Sequence, residues 1–177
     1  RPGELLVTAH HRNDQLETLL LQLLRGAGVH GLAAMPEYGC RDGVTMIRPF
    51  LEVPAAAIDD YANTQGLHWI EDPSNQDISL DRNYLRQQVV PLLEQRWPAA
   101  GRSMARTARL AGEAAGLLDE LADADLVPLQ TGNRIDLPKL QRLSPARQRN
   151  AFRRALRRLG LPVPAEKQLV LMLKTVQ

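Results

Sequence analysis

A short apolar run, Leu5, Leu6 and Val7, passes into the polar stretch His10, His11, Asn13, Asp14 and Glu17, while Leu16, Leu19, Leu20, Leu23 and Leu24 recur at helical spacing. That order dictates a strand followed by an amphipathic helix, with polar chemistry at the corner between them. In open α/β sheets the corner at the carboxyl ends of the strands is where ligands bind. Asp14 and Glu17 lie three apart and share one helix face, where the helix dipole favours anions and the pair is suited to clamp a cation. Capping accounts for the same residues structurally: Asn13 or Asp14 starts the helix, Glu17 completes a capping pattern, and the histidines lie in a surface loop.

Punctuation along the chain sets the rest. A strand is expected near residues 4–9, a helix over 14–25, a glycine-rich turn, a strand over 45–48 closed by Pro49, a helix over 53–65 ended by Gly66, and a third strand over 67–70. This rhythm predicts a parallel sheet with crossover helices. From Asp81 onward the pattern becomes helical: residues 83–96, broken at Trp97 and Pro98, then a long helix over 100–127 with Met104, Ala108, Ala111, Leu118 and Ala122 on one stripe. Thr131, Gly132 and Asn133 mark a turn, and Ser144 precedes a helix with Pro145 at its first position. The expected fold is therefore α/β, a partial parallel sheet over 1–97, followed by an all-α helical domain over 98–177.

The net charge of +2 hides a step. Residues 1–81 hold 5 Lys or Arg against 12 Asp or Glu, whereas residues 82–177 hold 17 against 8. An acidic half suited to a small cation or magnesium thus precedes a basic half suited to phosphates. The basic half concentrates Arg147, Arg149, Arg153, Arg154, Arg157 and Arg158 on one predicted helix, in two rows able to follow a phosphate backbone. A solvated arginine face is the structural alternative. Cys40 is alone, which excludes an intrachain disulfide, and with four dispersed histidines it offers no zinc spacing. No apolar run approaches the roughly 18 residues that span a bilayer and no signal peptide opens the sequence, so a cytoplasmic protein without membrane partners is expected.

The second informative stretch, residues 69–93, reads WIEDPSNQDISLDRNYLRQQVVPLL. Asp72, Ser74, Asn75 and Asp77 alternate oxygen ligands, but a calcium loop also needs a central Gly and a closing Glu, which are missing. A turn locked by Asx hydrogen bonds explains them better.

Taken together, Thr8, Ala9, His10, His11, Asp14, Gln15, Glu17 and Thr18, then Trp69, Asp72, Ser74, Asn75, Asp77, Arg82, Asn83, Arg86 and Pro91, resemble the paired motifs of the tRNA(Ile)-lysidine synthetase family. The resemblance is close over about the first hundred residues, through residues 25–35 and 47–53, and looser beyond. It implies an N-type PP-loop ATPase domain joined to a helical tRNA-contacting domain. Its implied chemistry is ATP-dependent ligation of L-lysine to C2 of the wobble cytidine in the CAU anticodon of tRNA(Ile), through an adenylated intermediate. ATP and Mg2+ are the implied cofactors, and relatives of this kind pair into homodimers.

By the same resemblance, His11 and Arg82 are the expected catalytic residues, Asp14 and Glu17 hold the lysine ammonium, and the six helix arginines contact tRNA; no side chains are assigned to a metal. Trp69, Asn75, Leu85 and Pro91 are expected to be structural. For Arg82 the structural alternative is an ion pair with Asp77 or Asp81, and for Asn83 a bond at the helix start. Asn13 stands where many relatives carry Asp. The SGGxDS phosphate loop of such enzymes is missing, and Gly26, Gly28 and Gly31 follow a helix rather than open one. With Arg1 first and an apolar periodic run at Gln177, the sequence reads as a fragment cut at both ends, expected to be inactive alone. Two other readings compete: a non-catalytic RNA-binding module, or another PP-loop tRNA-modifying enzyme such as a thiolation enzyme, which generally needs more cysteines than one. A regulatory DNA-binding protein would bind duplex DNA and tRNA equally.

Overall fold

The apolar run Leu5–Val7 forms β1, and Arg12–Leu24 forms helix α1. These elements come from a computed structural model, which describes residues 4–41, 43–132 and 134–175. The chain divides into two compact units, Arg1–Glu113 and Ala114–Gln177.

In the first unit α1 is followed by a single turn, α2 (Val29–Leu32), where a Cβ on Gly31 would meet that of Ala27 at 2.6 Å, so only glycine fits. Strands β2 (Tyr38–Arg41) and β3 (Val44–Ile47) come next, then α3 (Ala55–Thr64). The sheet order is β1-β3-β2: β1 runs parallel to β3, with Leu6 opposite Met46, and β2 runs antiparallel to β3, with Cys40 opposite Thr45. The sheet is thus mixed rather than parallel. The physical reason lies in the turn: Gly43 adopts φ +79°, which lets the chain reverse within two residues, so a hairpin fills the position that a crossover would otherwise supply.

The strand expected over 67–70 does not form. These residues are exposed, Ile70 by 96%, and no neighbouring strand offers them a ladder. The chain instead enters a 3-10 turn, Pro73–Gln76, and then a continuous helical stretch built from α4 (Asp81–Tyr84), a π-turn over Leu85–Val89 and α5 (Val90–Arg96). Pro91 explains the π-turn, because its ring clashes with the carbonyl four residues back and it brings no N–H for the helical ladder. Helix α6 (Ala100–Leu126) begins as expected after Trp97 and Pro98. Leu16, Leu19, Leu85, Val90, Ala105 and Ala108 are buried in this unit, while Leu5, Leu6 and Val7 of β1 stay exposed.

The second unit contains a small hairpin, β4 (Gln130–Thr131) with β5 (Arg134–Ile135), followed by α7 (Leu137–Leu140), α8 (Pro145–Arg158) and α9 (Glu166–Thr175). Asn133 of the expected turn lies outside the described residues. Its core gathers Leu126, Leu129, Leu140, Ala151 and Ala155, with Ile135, Leu137, Leu143 and Leu173 packed against it. An α/β unit followed by a helical one is the fold class that the sequence implied.

Candidate active site and charged helix face

Helix α1 starts at His11, not at Asn13 or Asp14. The His11 Nδ1 accepts from the Asp14 backbone N–H at 3.4 Å, and the His11 N–H donates to Asp14 Oδ2 at 2.9 Å, a reciprocal capping box. With Nδ1 accepting, a neutral ring carries its proton on Nε2. Asn13 is spent elsewhere: its Oδ1 accepts from the Ala55 N–H at 3.1 Å, at the first residue of α3. One polar corner therefore starts two helices.

Glu17 lies one turn further and is 1% exposed. A carboxylate so placed needs a cation, because burying an unpaired charge is far costlier than burying a pair. Arg86 supplies it: its Nε donates to Glu17 Oε1 at 2.6 Å and its Nη2 to Oε2 at 3.0 Å, while Nη2 also reaches Asp14 Oδ1 at 3.1 Å. The hydrogen bonds that Arg86 donates to Glu17 hold its guanidinium above its ordinary pKa. Arg82, one helical turn before Arg86, donates from Nη2 to Thr18 Oγ1 at 2.7 Å and pairs through Nε with Glu17 Oε2 at 3.3 Å. Asp81 pairs with Arg25 at 3.9 Å, so Arg82 takes neither of the partners expected of it as a structural ion pair.

The loop over residues 72–79, within the second motif, is locked from behind. Asn83, buried, donates from Nδ2 to the carbonyls of Ser74 and Asp77 at 2.8 and 2.9 Å, rather than bonding at its own helix start. Gln87 Nε2 donates to the Asn75 carbonyl at 2.7 Å. Asp72 and Asp77 accept the N–H groups of Ser74 and Ser79, both at 2.9 Å; for Asp72 the backbone bond and for Asp77 the Ser79 hydroxyl contributes most to holding the carboxyl below its ordinary pKa. Asx turns thus account for the alternating oxygens. Among the described residues no three His, Cys, Asp or Glu side chains converge as metal ligands.

The structure thus brings His11, Asp14, Glu17 and Arg82 into one cluster, and adds Arg86, to which no role was assigned from sequence. The signal was present: Arg82 and Arg86, four apart on one helix, complement Asp14 and Glu17, three apart on another. The expected anionic clamp is not vacant, since guanidinium groups already compensate both carboxylates.

The arginines of α8 are likewise engaged. Arg147 forms two bonds to Asp125, which is 3% exposed; Arg154 binds Asp123 at 2.7 and 2.9 Å and Asp119 at 2.9 Å. Arg157 binds Asp119 at 2.6 Å, Arg158 pairs with Asp123 at 2.9 Å, and Arg149 and Arg153 share Glu166. The two rows are real, but they are not freely presented, because Asp119 and Asp123 at helical spacing on α6 form a facing acidic row. The Arg154 guanidinium, helped by Arg158, holds the Asp123 carboxyl below its ordinary value of 3.8. A carboxyl with a depressed folded pKa stabilises fully above its unfolded pKa and ceases to do so as pH falls through the folded value. Thermal melts are expected to show the second unit losing stability below about pH 4, and the Asp123→Asn variant losing less over that interval.

Residues 2–93 match the PP-loop domain family and residues 135–177 match the TilS substrate binding domain. The chain is 51% identical over 159 residues to a tRNA(Ile)-lysidine synthase of Pseudomonas putida, covering 85% of this chain and 37% of that protein. It is 44% identical over 167 residues to the synthase of Coxiella burnetii (94% and 37%) and 46% identical over 170 residues to that of Shigella flexneri (96% and 39%). It thus spans under two fifths of the length of these relatives. The residues of the first motif, the loop held by Asn83 and Gln87, and Arg82 and Arg86 all lie within the matched 2–93 segment, and the chain belongs to the PP-loop domain family.

Proposed function

We propose that this chain is the part of a tRNA(Ile)-lysidine synthase that joins the end of an ATP-using domain to a tRNA-contacting domain. The observation that carries the reading is the presence in one chain of the PP-loop and TilS substrate binding matches, at 44–51% identity to synthases. In this reading the C2 oxygen of the wobble cytidine in a CAU anticodon attacks the α-phosphorus of ATP, releasing pyrophosphate. An amine of lysine then attacks C2, and AMP leaves with the oxygen. The resulting lysidine changes codon recognition from AUG to AUA.

Each side chain has a task suited to its setting. Arg82 is anchored by Thr18 and Glu17 yet 42% exposed, so its remaining donors stabilise negative charge on the phosphate or the base edge. His11 offers Nε2–H to the nucleotide or moves a proton. Asp14, whose side chain keeps 13% exposure, takes the lysine ammonium, while Glu17 serves to hold Arg82 and Arg86. ATP supplies the leaving group. Mg2+ would accompany the ATP, held chiefly by its phosphate oxygens and water, and would neutralise charge on them. The second unit, with 11 Lys or Arg against 6 Asp or Glu, draws in the tRNA backbone. The exposed Glu166 shared by Arg149 and Arg153 is readily exchanged for phosphate. The place of action is the cytoplasm; among the described residues no helix is long and apolar enough to cross a membrane.

Labelled lysine, ATP and a tRNA(Ile) transcript test the reading. The full-length protein is expected to incorporate lysine with stoichiometric AMP, and the 177-residue chain alone to incorporate none. Lysine transfer without AMP release refutes the adenylated route; absence of transfer by the full-length protein refutes the function.

A further inference from the structure

We propose that Trp97 and the first turns of α6 form a contact surface for unpaired RNA, with Trp97 stacking on a nucleobase and Arg102 and Arg106 meeting the flanking phosphates. The inference rests on the tRNA reading above and adds the place of contact. Arg102 and Arg106 are exposed and one turn apart, and among the described residues neither has an ion pair or hydrogen bond to a carboxylate. Next on the same stripe, Arg109 is matched by Glu113. All six arginines of α8, by contrast, already hold carboxylates, so phosphates there must displace an internal partner.

Beside the free pair stands an aromatic platform. Trp97 is 58% exposed, and the Arg96 guanidinium lies 5.6 Å from its ring centroid. An indole backed by a cation stacks well on a base. Leu93, Trp97, Pro98, Ala99, Ser103 and Met104 line an adjoining, mainly apolar hollow of about 510 Å³. Ser103, on the rim of the hollow, lies three residues before Arg106, and Ala99 three before Arg102, so hollow and cations are contiguous. Glu94 sits on the Gly101 flank of the helix: its Oε1 lies 3.5 Å, and Arg12 Nε 4.0 Å, from where a Gly101 Cβ would be. Free cations alone would fit any polyanion. An exposed indole over an apolar hollow selects bases whose faces are open, as in single-stranded loops and ends, and duplexes hide those faces.

The test is anisotropy of a labelled tRNA(Ile) transcript with the protein, over a salt series. Arg102→Glu with Arg106→Glu is expected to weaken binding about tenfold or more and to reduce the salt slope by about 1.5. Trp97→Ala is expected to weaken it about tenfold, with Trp97→Phe retaining most of the affinity. The control Arg25→Gln, an exposed cation at the end of α1 already paired with Asp81, stays within about twofold. Milder Arg102→Gln and Arg106→Gln substitutions, checked by circular dichroism, move in the same direction if contact rather than folding is at stake. Unlabelled oligo(U) should compete and duplex DNA should not. Tight tRNA binding that these variants leave unchanged overturns the contact surface and spares the tRNA reading. Failure of the unaltered protein to bind tRNA overturns that reading itself. Equal competition by duplex DNA, or by phosphatidylserine vesicles, overturns the assignment to unpaired RNA.

Discussion

Replacing Arg86 with methionine is expected to lower the unfolding free energy of the first unit by about 3 kcal/mol, because Glu17 then stays buried with only a secondary cation. Removing one partner of a buried ion pair costs about 3–5 kcal/mol. Two features hold the loss near the lower figure: the Arg86 side chain is 43% exposed, so water screens part of its charge, and Arg82 remains 3.3 Å from Glu17. Lysine at position 86 recovers only part, since an ammonium cannot fork across both carboxylate oxygens as the guanidinium does. Changing Glu17 to methionine together with Arg86 should cost less than the two single losses added, because the Glu17 charge is no longer left stranded. Trp69 and Trp97 both lie in the first unit, so tryptophan fluorescence in a urea titration reads it directly. A change under about 0.5 kcal/mol for Arg86→Met would mean that Glu17 finds solvent, and the pairing would carry no stability.

Alanine in place of Arg82 is expected to reduce lysine transfer by the full-length protein about 10²–10³-fold, the usual cost of losing one preorganised donor to developing charge. Folding should change little, as Arg86 remains the principal partner of Glu17. Arg82→Lys keeps the charge and loses the fork, so it should restore a minor part of the rate. Single-turnover measurement of AMP formation against lysine incorporation locates the defect in adenylation or in displacement. A loss under about tenfold in a folded variant would remove Arg82 from the reacting groups and leave it as an anchor of Thr18.

Much of the architecture was legible because local signals and tertiary packing agree. Leucines at helical spacing gave α1, Trp97 and Pro98 marked the start of α6, and Pro145 after Ser144 marked α8, although the Ser144 hydroxyl makes no capping bond there. β2 was missed because Tyr38, Gly39 and Cys40 show no apolar alternation; the Asp42-Gly43 dipeptide was the signal to weigh, as such a pair reverses a chain in two residues. The false strand over 67–70 shows the opposite error. Apolar residues favour a ladder only where an edge is on offer, and sequence does not reveal edges.

Sequence by itself determined which charged residues share a helix face, because spacing fixes the face: Asp14 with Glu17, Arg82 with Arg86, and the rows on α8. Tertiary structure alone decided who meets whom. It spent Glu17 on Arg86, made His11 rather than Asp14 the helix cap, and set Asp119 and Asp123 against Arg154, Arg157 and Arg158. Among the described residues it left Arg102 and Arg106, a few residues from Trp97, without a carboxylate partner. The physical reason is that a charge's availability depends on partners tens of residues away, and burial turns a formal charge into either a satisfied ion pair or an exposed contact.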